Sequence, residues 1–238
     1  MPILTKGGRG APRAGAGRSD MLAAVPEAIR LDPALLEEAR RRLRRRDPVL
    51  AGVIRRVGPC RMEARGDPYG SLLRSVLYQQ LAGSAARAID LRFRAPFAYR
   101  YPAPARLLAL RAARLRAVGL SRQKIAAVKA VARAFADGDV SARRLQRLHD
   151  EGVVEAVTRI HGIGEWTAHM LLMFSLGRPD VLPVGDYGVR KAAQRLYGLA
   201  DLPRRAELEQ LGEPWRPYRS VASWYLWRAM DVLPPDGG

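Results

Sequence analysis

Apolar residues in this chain recur at three- and four-residue spacings, and residues that begin or end helices divide them into short runs. Asp32, Ser121 and Ser141 each open one of these runs, while Gly119 and Gly138 each close one. The period-two alternation typical of strands is almost absent. The pattern therefore predicts an all-α protein of about ten short helices with tight turns and without an internal repeat.

A chain of 238 residues is long enough for one or two domains with a buried core. Residues 1–20 are rich in Gly, Ala and Arg without apolar periodicity, so we expect a disordered basic tail there. The folded part is expected to occupy residues 21–238. Within it, residues 58–69 are compatible with a turn or a short extended piece between helices.

Basic residues exceed acidic residues by 41 to 23, which gives a formal net charge of +18 and an isoelectric point near 11.2. Such an excess favours a polyanionic partner, with nucleic acid first, although a genome rich in G and C also enriches arginine. The run Arg40 to Arg46 fits either a solvated helix face or a DNA clamp. Charge alone does not separate an enzyme from a passive binding protein.

The single cysteine, Cys60, excludes an internal disulfide framework and a four-cysteine zinc or iron–sulfur site. Three histidines also argue against a metal centre built on imidazoles. No apolar run reaches the ~20 residues of a membrane-spanning helix, and the first 20 residues lack the apolar stretch of a secretory signal. A soluble protein of a reducing compartment, without a membrane partner, is the simplest expectation.

The segment VTRIHGIGEWTAHML, residues 157–171, predicts two helices joined by a turn that contains Gly162 and Gly164. Glycines allow positive φ and close approach of a phosphate, and the second helix leaves its first N–H groups unpaired. Ile163 is expected to point back into the core and fix the turn. Such a turn can hold phosphate without reading a base, although a helix stop and a tight turn explain the glycines equally well.

The hairpin is followed by LGRPDVLPVGDYGVRKAAQRLYG, preceded by LYQQLAGSAARA, and the chain closes with PWRPYRSVASWYLW. In this order the four segments resemble the HhH-GPD superfamily of DNA glycosylases over residues 48–232, and the last resembles its alkylpurine branch. The resemblance implies two helical subdomains with the active cleft between them. The inner subdomain would span 69–182, the second would combine 21–68 with 187–238, and the hairpin would span 157–168.

Asp186 falls where this superfamily has its essential aspartate. A carboxylate beside the sugar would stabilise the positive charge that develops as the N-glycosidic bond breaks, and it would orient a water molecule. By pattern alone Asp186 is an N-cap of the following helix, and the two roles are compatible. Asp180 is the rival carboxylate, in the preceding loop.

The bifunctional relatives carry a lysine two residues after the second hairpin glycine, where this chain has Trp166. Without an amine at that position no Schiff base can form there, so we expect a monofunctional enzyme that uses water.

The resemblance also assigns roles to other residues. It places the base pocket at Trp166, Tyr187, Trp227 and Gln79, with Trp224 and Tyr225 left as ordinary core or surface aromatics or as part of the site. It places the DNA wedge at Gln80 with Leu81 beside it, whereas Gln79 and Gln80 by pattern alone face either a cleft or solvent. It places the phosphate contacts at Gly162, Gly164, Glu165 and Thr167.

Relatives bind a monovalent cation through hairpin carbonyls, which here would be those of Thr158, Ile160 and Ile163. His161 replaces a proline common at this turn, and it is either a donor near phosphate or a plain polar turn residue. No other cofactor is expected.

The sequence thus predicts a base-excision-repair enzyme that flips alkylated purines out of double-stranded DNA and hydrolyses their N-glycosidic bond, leaving an abasic site. Two rivals remain open: a mismatch or oxidised-base glycosylase of the same fold, and a non-catalytic helix-hairpin-helix DNA-binding protein. We expect a cytoplasmic, nucleoid-associated monomer of bacterial origin.

Overall fold

The computed structural model describes residues 29–81 and 83–232. Within them the chain forms thirteen α-helices, two 3₁₀ turns and one antiparallel pair of two-residue strands. The helices are α1 (Pro33–Arg46), α2 (Pro48–Val57), α3 (Pro68–Tyr78), α4 (Gly83–Arg94), α5 (Pro104–Ala109), α6 (Ala112–Ala117), α7 (Arg122–Ala136), α8 (Ala142–Arg147), α9 (Asp150–Thr158), α10 (Glu165–Phe174), α11 (Tyr187–Tyr197), α12 (Arg205–Leu211) and α13 (Arg219–Val232). The 3₁₀ turns span Ala95–Phe97 and Glu213–Trp215, and the strands are β1 (Ile29–Arg30) and β2 (Glu63–Ala64).

The helical architecture confirms the predicted fold class, and the predicted caps are present. The side chains of Asp32, Ser121 and Ser141 each accept a backbone N–H at the start of α1, α7 and α8. Strand β2 is the short extended piece expected within residues 58–69. The predicted tail at 1–20 and the start of the folded part near residue 21 lie outside the described residues.

More helices are present than the sequence pattern predicts, because two long periodic runs are broken. The run that begins at Pro68 stops at Gln79, whose backbone is extended, and Gln80 follows with a φ of 55°. A second run divides into α5 and α6, since Leu110 between them is also extended. Helices α2 and α12 were not predicted.

Two hydrophobic cores divide the molecule. The first lies among α3 to α10 and includes fully buried Leu72, Val128 and Leu171. The second lies among α1, α2, α11, α12 and α13 and includes fully buried Leu50 and Trp215. The four residues that pack against both cores are Leu36, Cys60, Trp224 and Trp227. Leu31 and Met62, which the expected boundaries assign to the second subdomain, contribute to the first core instead.

A buried carboxylate holds the second core together. Asp47, the N-cap of α2, accepts hydrogen bonds from the Leu50 N–H at 2.9 Å, from the Trp215 indole at 2.7 Å and from the Tyr197 hydroxyl. Burial, together with this acceptor, raises the pKa of Tyr197 above its usual range. The contact fixes the α1–α2 junction against α11 and the turn that precedes α13.

No helix among the described residues is long and apolar enough to cross a membrane.

Candidate active site

The hairpin between α9 and α10 uses its two glycines differently. Gly162 has a φ of +86°, and a Cβ on it would lie 2.5 Å from Cβ of Ala127 on α7, so both its backbone and its packing require glycine. Gly164 has a φ of −101° and an extended ψ, and a Cβ there would meet no atom within 4 Å. Ile163 is buried between them, as predicted. The backbone conformation therefore requires glycine at position 162. At position 164 it does not require glycine, and no protein atom occupies the space that a Cβ would fill.

Helix α10 begins without a side-chain cap. Gly164 is its N-cap, so the first N–H groups of the helix lack acceptors within the helix and point to the open side of the hairpin. The Glu165 side chain forms an ion pair with Arg205 on α12. The Thr167 side chain is buried, with 2% of the residue exposed, so a phosphate contact at this position would use the backbone N–H.

Asp186 lies at the start of α11 and accepts three hydrogen bonds. The Val189 N–H donates to Oδ1 at 2.8 Å, the Trp227 indole donates to Oδ1 at 2.8 Å, and the Trp166 indole donates to Oδ2 at 2.7 Å. All three partner groups are N–H donors, and a carboxylate only accepts hydrogen bonds. The structure therefore shows the helix cap and places the same carboxylate between two tryptophans.

The rival carboxylate, Asp180, has a different environment. Its oxygens accept hydrogen bonds from the Arg219 guanidinium at 2.8 Å and from Arg216 at 3.0 Å, and its Oδ1 also accepts the Arg219 backbone N–H at 3.2 Å. These contacts fasten the loop before α11 to the start of α13, which is a structural role.

A cavity of about 650 Å³ opens between α3 and α10, with Trp166 in its wall. Its lining consists of Glu63, Arg65, Ser71, Arg74, Ser75, Tyr78, Gln79, Gln80, Trp166, Met170, Leu171 and Phe174. Because Trp166 both lines this cavity and donates to Asp186, the carboxylate is one hydrogen bond away from the cavity wall.

Of the predicted pocket residues, Trp166 and Gln79 line this cavity. Trp166 is 43% exposed. Trp227 and Tyr187 do not line this cavity, although Trp227 donates a hydrogen bond to Asp186 beside it. The Trp227 ring packs behind Phe174 at 5.7 Å between ring centroids, while Tyr187 points to solvent and is 64% exposed. Trp224 and Tyr225 also lie outside the lining, and Tyr225 is fully buried in the second core.

The loop between α3 and α4 carries the residues that are expected to form the wedge. Gln80 is exposed, lines the cavity and has a left-handed backbone, and Leu81 beside it is 39% exposed. The Gln79 amide donates to the carbonyl of Gly162 at 3.1 Å. The Lys124 ammonium donates to the Leu77 carbonyl at 2.6 Å, and burial lowers the pKa of Lys124. The end of α3 is thereby fastened to the hairpin and to α7.

Sequence reasoning missed most of the cavity lining. Ser71, Arg74, Ser75 and Tyr78 occupy one face of α3 at spacings of three and four, and this polar stripe on an otherwise apolar helix was the available signal. The Arg74 guanidinium lies 4.1 Å from the Tyr78 ring centroid and 3.7 Å from the carboxylate of Asp90. The Arg74 guanidinium therefore lies against its own helix, and Asp90, which also pairs with Arg94 at 2.9 Å, offsets part of its charge.

Backbone oxygens, not side chains, are the available cation ligands at the hairpin. Thr158 ends α9, and the Ile160 carbonyl accepts the Ile163 N–H at 3.0 Å while keeping a second lone pair. These oxygen donors are chemically compatible with a monovalent cation. Across residues 29–81 and 83–232, no group of three or more His, Cys, Asp and Glu side chains forms a metal site.

Two ionisable side chains near the cores are held neutral by burial. Burial raises the pKa of the Cys60 thiol to about 11, so the single cysteine is not a reactive thiolate. Burial also lowers the pKa of His169, which lies one turn after Glu165 on α10. Neither side chain lines the cavity.

A helix-hairpin-helix lies beside a cavity with aromatic side chains in its wall, and the Asp186 carboxylate is hydrogen-bonded to one of them. These features define the class of protein: a helix-hairpin-helix protein with a candidate ligand site. Comparison with known families then specifies it. The model of the HhH-GPD family, described as "HhH-GPD superfamily base excision DNA repair protein", matches residues 73–217. The chain belongs to this superfamily.

Curated relatives and solved structures agree with this assignment. DNA-3-methyladenine glycosylase 1 of Schizosaccharomyces pombe is 36% identical over 172 residues, which cover 71% of this chain and 75% of the relative. A structure of 3-methyladenine DNA glycosylase from that yeast in complex with abasic DNA is 33% identical, with a TM-score of 0.76, and the match covers 84% of this chain and 99% of that chain.

A DNA-3-methyladenine glycosidase structure from Bacillus halodurans is 34% identical, with a TM-score of 0.73 and coverage of 80% and 88% of the two chains. An 8-oxoguanine glycosylase/lyase structure from Clostridium acetobutylicum is 17% identical, with a TM-score of 0.70, and shows the shared fold alone.

Proposed function

We propose that this protein is a monofunctional DNA glycosylase that hydrolyses the N-glycosidic bond of alkylated purines in double-stranded DNA and leaves an abasic site. The observation that carries the proposal is the Asp186 carboxylate, held by the indole N–H groups of Trp166 and Trp227 beside the cavity. The relatives named as 3-methyladenine glycosylases support the same substrate class.

The chemistry follows from the charge that develops on the sugar. As the base leaves, the deoxyribose acquires positive charge, and the negative charge of Asp186 stabilises it. The same carboxylate can orient a water molecule or accept its proton. Purines alkylated at N3 or N7 are already cationic, so they leave readily without a strong general acid. One carboxylate held beside the sugar is therefore sufficient for cleavage of this N-glycosidic bond.

The cavity is suited to a flipped, electron-poor base. Tyr78, Trp166 and Phe174 provide aromatic surface, and a cationic purine is attracted to such faces. The positive charge of Arg74, which opposes a cationic base, is partly offset by Asp90, whose carboxylate also pairs with Arg94. Gln80, exposed at the loop tip beside the cavity, would fill the gap that the flipped base leaves in the duplex.

DNA binding would be centred on the hairpin. The open space at Gly164 and the unpaired N–H groups at the start of α10 suit a backbone phosphate. The carbonyls of Thr158, Ile160 and Ile163 would hold a monovalent cation that draws a phosphate towards the same turn. All of these groups lie within one chain, and we propose that the protein acts as a monomer.

The variant Asp186→Asn tests the proposal directly. Asparagine also caps helices well, so the start of α11 is expected to be preserved. Release of 3-methyladenine and 7-methylguanine from methylated DNA should fall on the order of 100-fold or more, because the charge that stabilises the sugar cation is lost. Binding of undamaged duplex should persist, and full activity of the variant would overturn the assignment.

Reductive trapping with the wild-type protein tests the use of water. In the presence of borohydride and damaged duplex we expect no covalent protein–DNA adduct, because Trp166 supplies no amine. A trapped adduct would show that another amine attacks the sugar.

A further inference from the structure

Four arginines line an open notch of about 290 Å³ on the second subdomain. Arg41, Arg44 and Arg45 come from the last turns of α1, Arg55 comes from the last turn of α2, and all four are exposed. The only other lining residue is Ala51. We call this surface the arginine notch. None of its residues lines the cavity beside Asp186.

The neighbouring arginines of α1 are neutralised, whereas those of the notch are largely not. Arg40 pairs with Glu37, and Arg42 shares Glu38 with Arg41. In the part of the chain that the structure describes, no carboxylate lies within 4.0 Å of the guanidinium groups of Arg44, Arg45 or Arg55. The carboxylates of α1 thus pair with Arg40, Arg41 and Arg42, whereas Arg44, Arg45 and Arg55 of the notch have no ion-pair partner among the described residues.

This arrangement is unfavourable without an anion. Arg41 lies three residues before Arg44 and four residues before Arg45, and at both spacings like charges on a helix repel. A bound anion would replace this repulsion with attraction. Guanidinium groups bind phosphate through paired N–H donors, and four of them converge here from two helices that meet at the buried Asp47.

We propose that the arginine notch is a second DNA contact, which binds backbone phosphates outside the active cleft. DNA is the polyanion that the superfamily acts on, and the paired N–H donors of four guanidinium groups match the acceptor oxygens of backbone phosphates. The contact is sequence-independent and raises affinity for long DNA. It does not depend on the excision chemistry, because undamaged DNA has the same phosphates.

The test compares the wild type with a variant in which Arg41, Arg44, Arg45 and Arg55 are all replaced by Gln. Binding of an undamaged duplex of about 40 base pairs is measured between about 50 and 200 mM salt. Each phosphate contact contributes about 0.9 to the slope of log affinity against log salt. If the notch holds two phosphates, the wild-type affinity should fall about 12-fold more than that of the variant over this range.

Two matched variants distinguish a specific phosphate-binding site from a general effect of net charge. In one, Arg87, Arg111, Arg114 and Arg116, which are exposed on or beside α4 and α6, become Gln, so that the net charge is the same as in the notch variant. In the other, the four notch arginines become Lys, which keeps the charge and removes the paired donors. The proposal expects a clearly smaller loss of affinity and slope in the first variant and an intermediate loss in the second.

Duplex length identifies which DNA occupies the notch. With duplexes of about 12 base pairs, little more than one helical turn, a notch that binds a separate segment gives two duplexes per wild-type protein and one per notch variant. A notch that binds the flank of the same duplex gives one for both proteins, with the difference in affinity confined to the long duplex. Equal affinities and salt slopes for the wild type and the notch variant, or equal losses in both Gln variants, would overturn the proposal.

Discussion

The side chain of Asp186 caps α11 and is also the carboxylate to which we assign the catalytic role. As an N-cap it accepts the Val189 N–H, and the same side chain accepts the indole N–H groups of Trp166 and Trp227. The cap was predictable from sequence because its partner lies three residues away. The indole contacts were not, since Trp166 and Trp227 are 20 and 41 residues away and belong to different helices.

Substitution of Trp166 by Phe should separate the hydrogen bond from the aromatic wall. Phe keeps a ring in the cavity but removes the donor to Asp186. A hydrogen bond to a charged group contributes about 1.5–3 kcal/mol, so we expect the single-turnover excision rate to fall roughly 10- to 100-fold. Trp227→Phe should behave similarly, because that indole holds the other carboxylate oxygen.

Trp224→Phe is the matched control, because this indole packs between the two cores and is not one of the donors to Asp186. We expect its excision rate to stay near that of the wild type. A Trp166→Phe enzyme that excises as fast as the Trp224→Phe enzyme would show that the hydrogen bond does not position the carboxylate.

Motifs predict where the candidate site residues lie along the chain, whereas helix packing decides where their side chains lie. Gln79 and Trp166 line the cavity as predicted. Thr167 and Trp227 lie in the same motifs, yet the faces of their helices turn Thr167 into the core and Trp227 behind Phe174. A motif gives position along the chain, whereas helix rotation decides which side chain reaches a cavity, and that rotation is set by packing between distant helices.

At the level of helices and turns, boundaries set by local chemistry were predictable. The caps at Ser121 and Ser141 and the left-handed glycines Gly119 and Gly138 all occur where their residue types favour them. The break after α3 is different, because Gln80, a non-glycine residue, takes a positive φ. Local preference does not favour that conformation, and contacts of Gln79 with the hairpin accompany it.

The two hairpin glycines provide a matched pair of substitutions. Gly162→Ala places a Cβ against Ala127 at a φ of +86°, so the free energy of unfolding should fall by about 1–3 kcal/mol, and DNA affinity should fall with it. Gly164→Ala fits the backbone and meets no protein atom, so stability should be unchanged or rise by about 0.5 kcal/mol. Urea unfolding measures both effects.

Only Gly164→Ala tests the phosphate contact without disturbing the fold. Its Cβ would occupy the space left for a phosphate, so binding of undamaged duplex, followed by fluorescence anisotropy, should weaken although the protein unfolds normally. Wild-type affinity in this variant would mean that the open side of the hairpin does not contact DNA.

Across the whole molecule, the two-core arrangement positions the cleft. Trp227 packs against both cores and holds Asp186, while the hairpin and the cavity belong to the first core. The helical class and the order of the segments were predictable from periodicity and motifs. The assignment of Leu31 and Met62 to the first core was not, because it depends on a strand pair formed between residues far apart in the sequence.

The net charge of +18 does not show which arginines are paired with carboxylates and which are not. Several arginines are engaged by carboxylates, as Arg219 is by Asp180 and Arg94 by Asp90. Those of the arginine notch are not paired in this way, apart from Arg41. DNA affinity should therefore depend on particular clusters more than on the total charge.

A panel of duplexes with single lesions tests the central claim most directly. Single-turnover excision by the wild type should be fastest for 3-methyladenine and 7-methylguanine, and slower by a factor on the order of 100 or more for 8-oxoguanine and for mismatched normal bases. The reason is that a neutral base leaves poorly without a general acid and gains less from the aromatic walls. Faster release of 8-oxoguanine or of a mismatched base, or DNA binding with no abasic product from any duplex, would contradict the account.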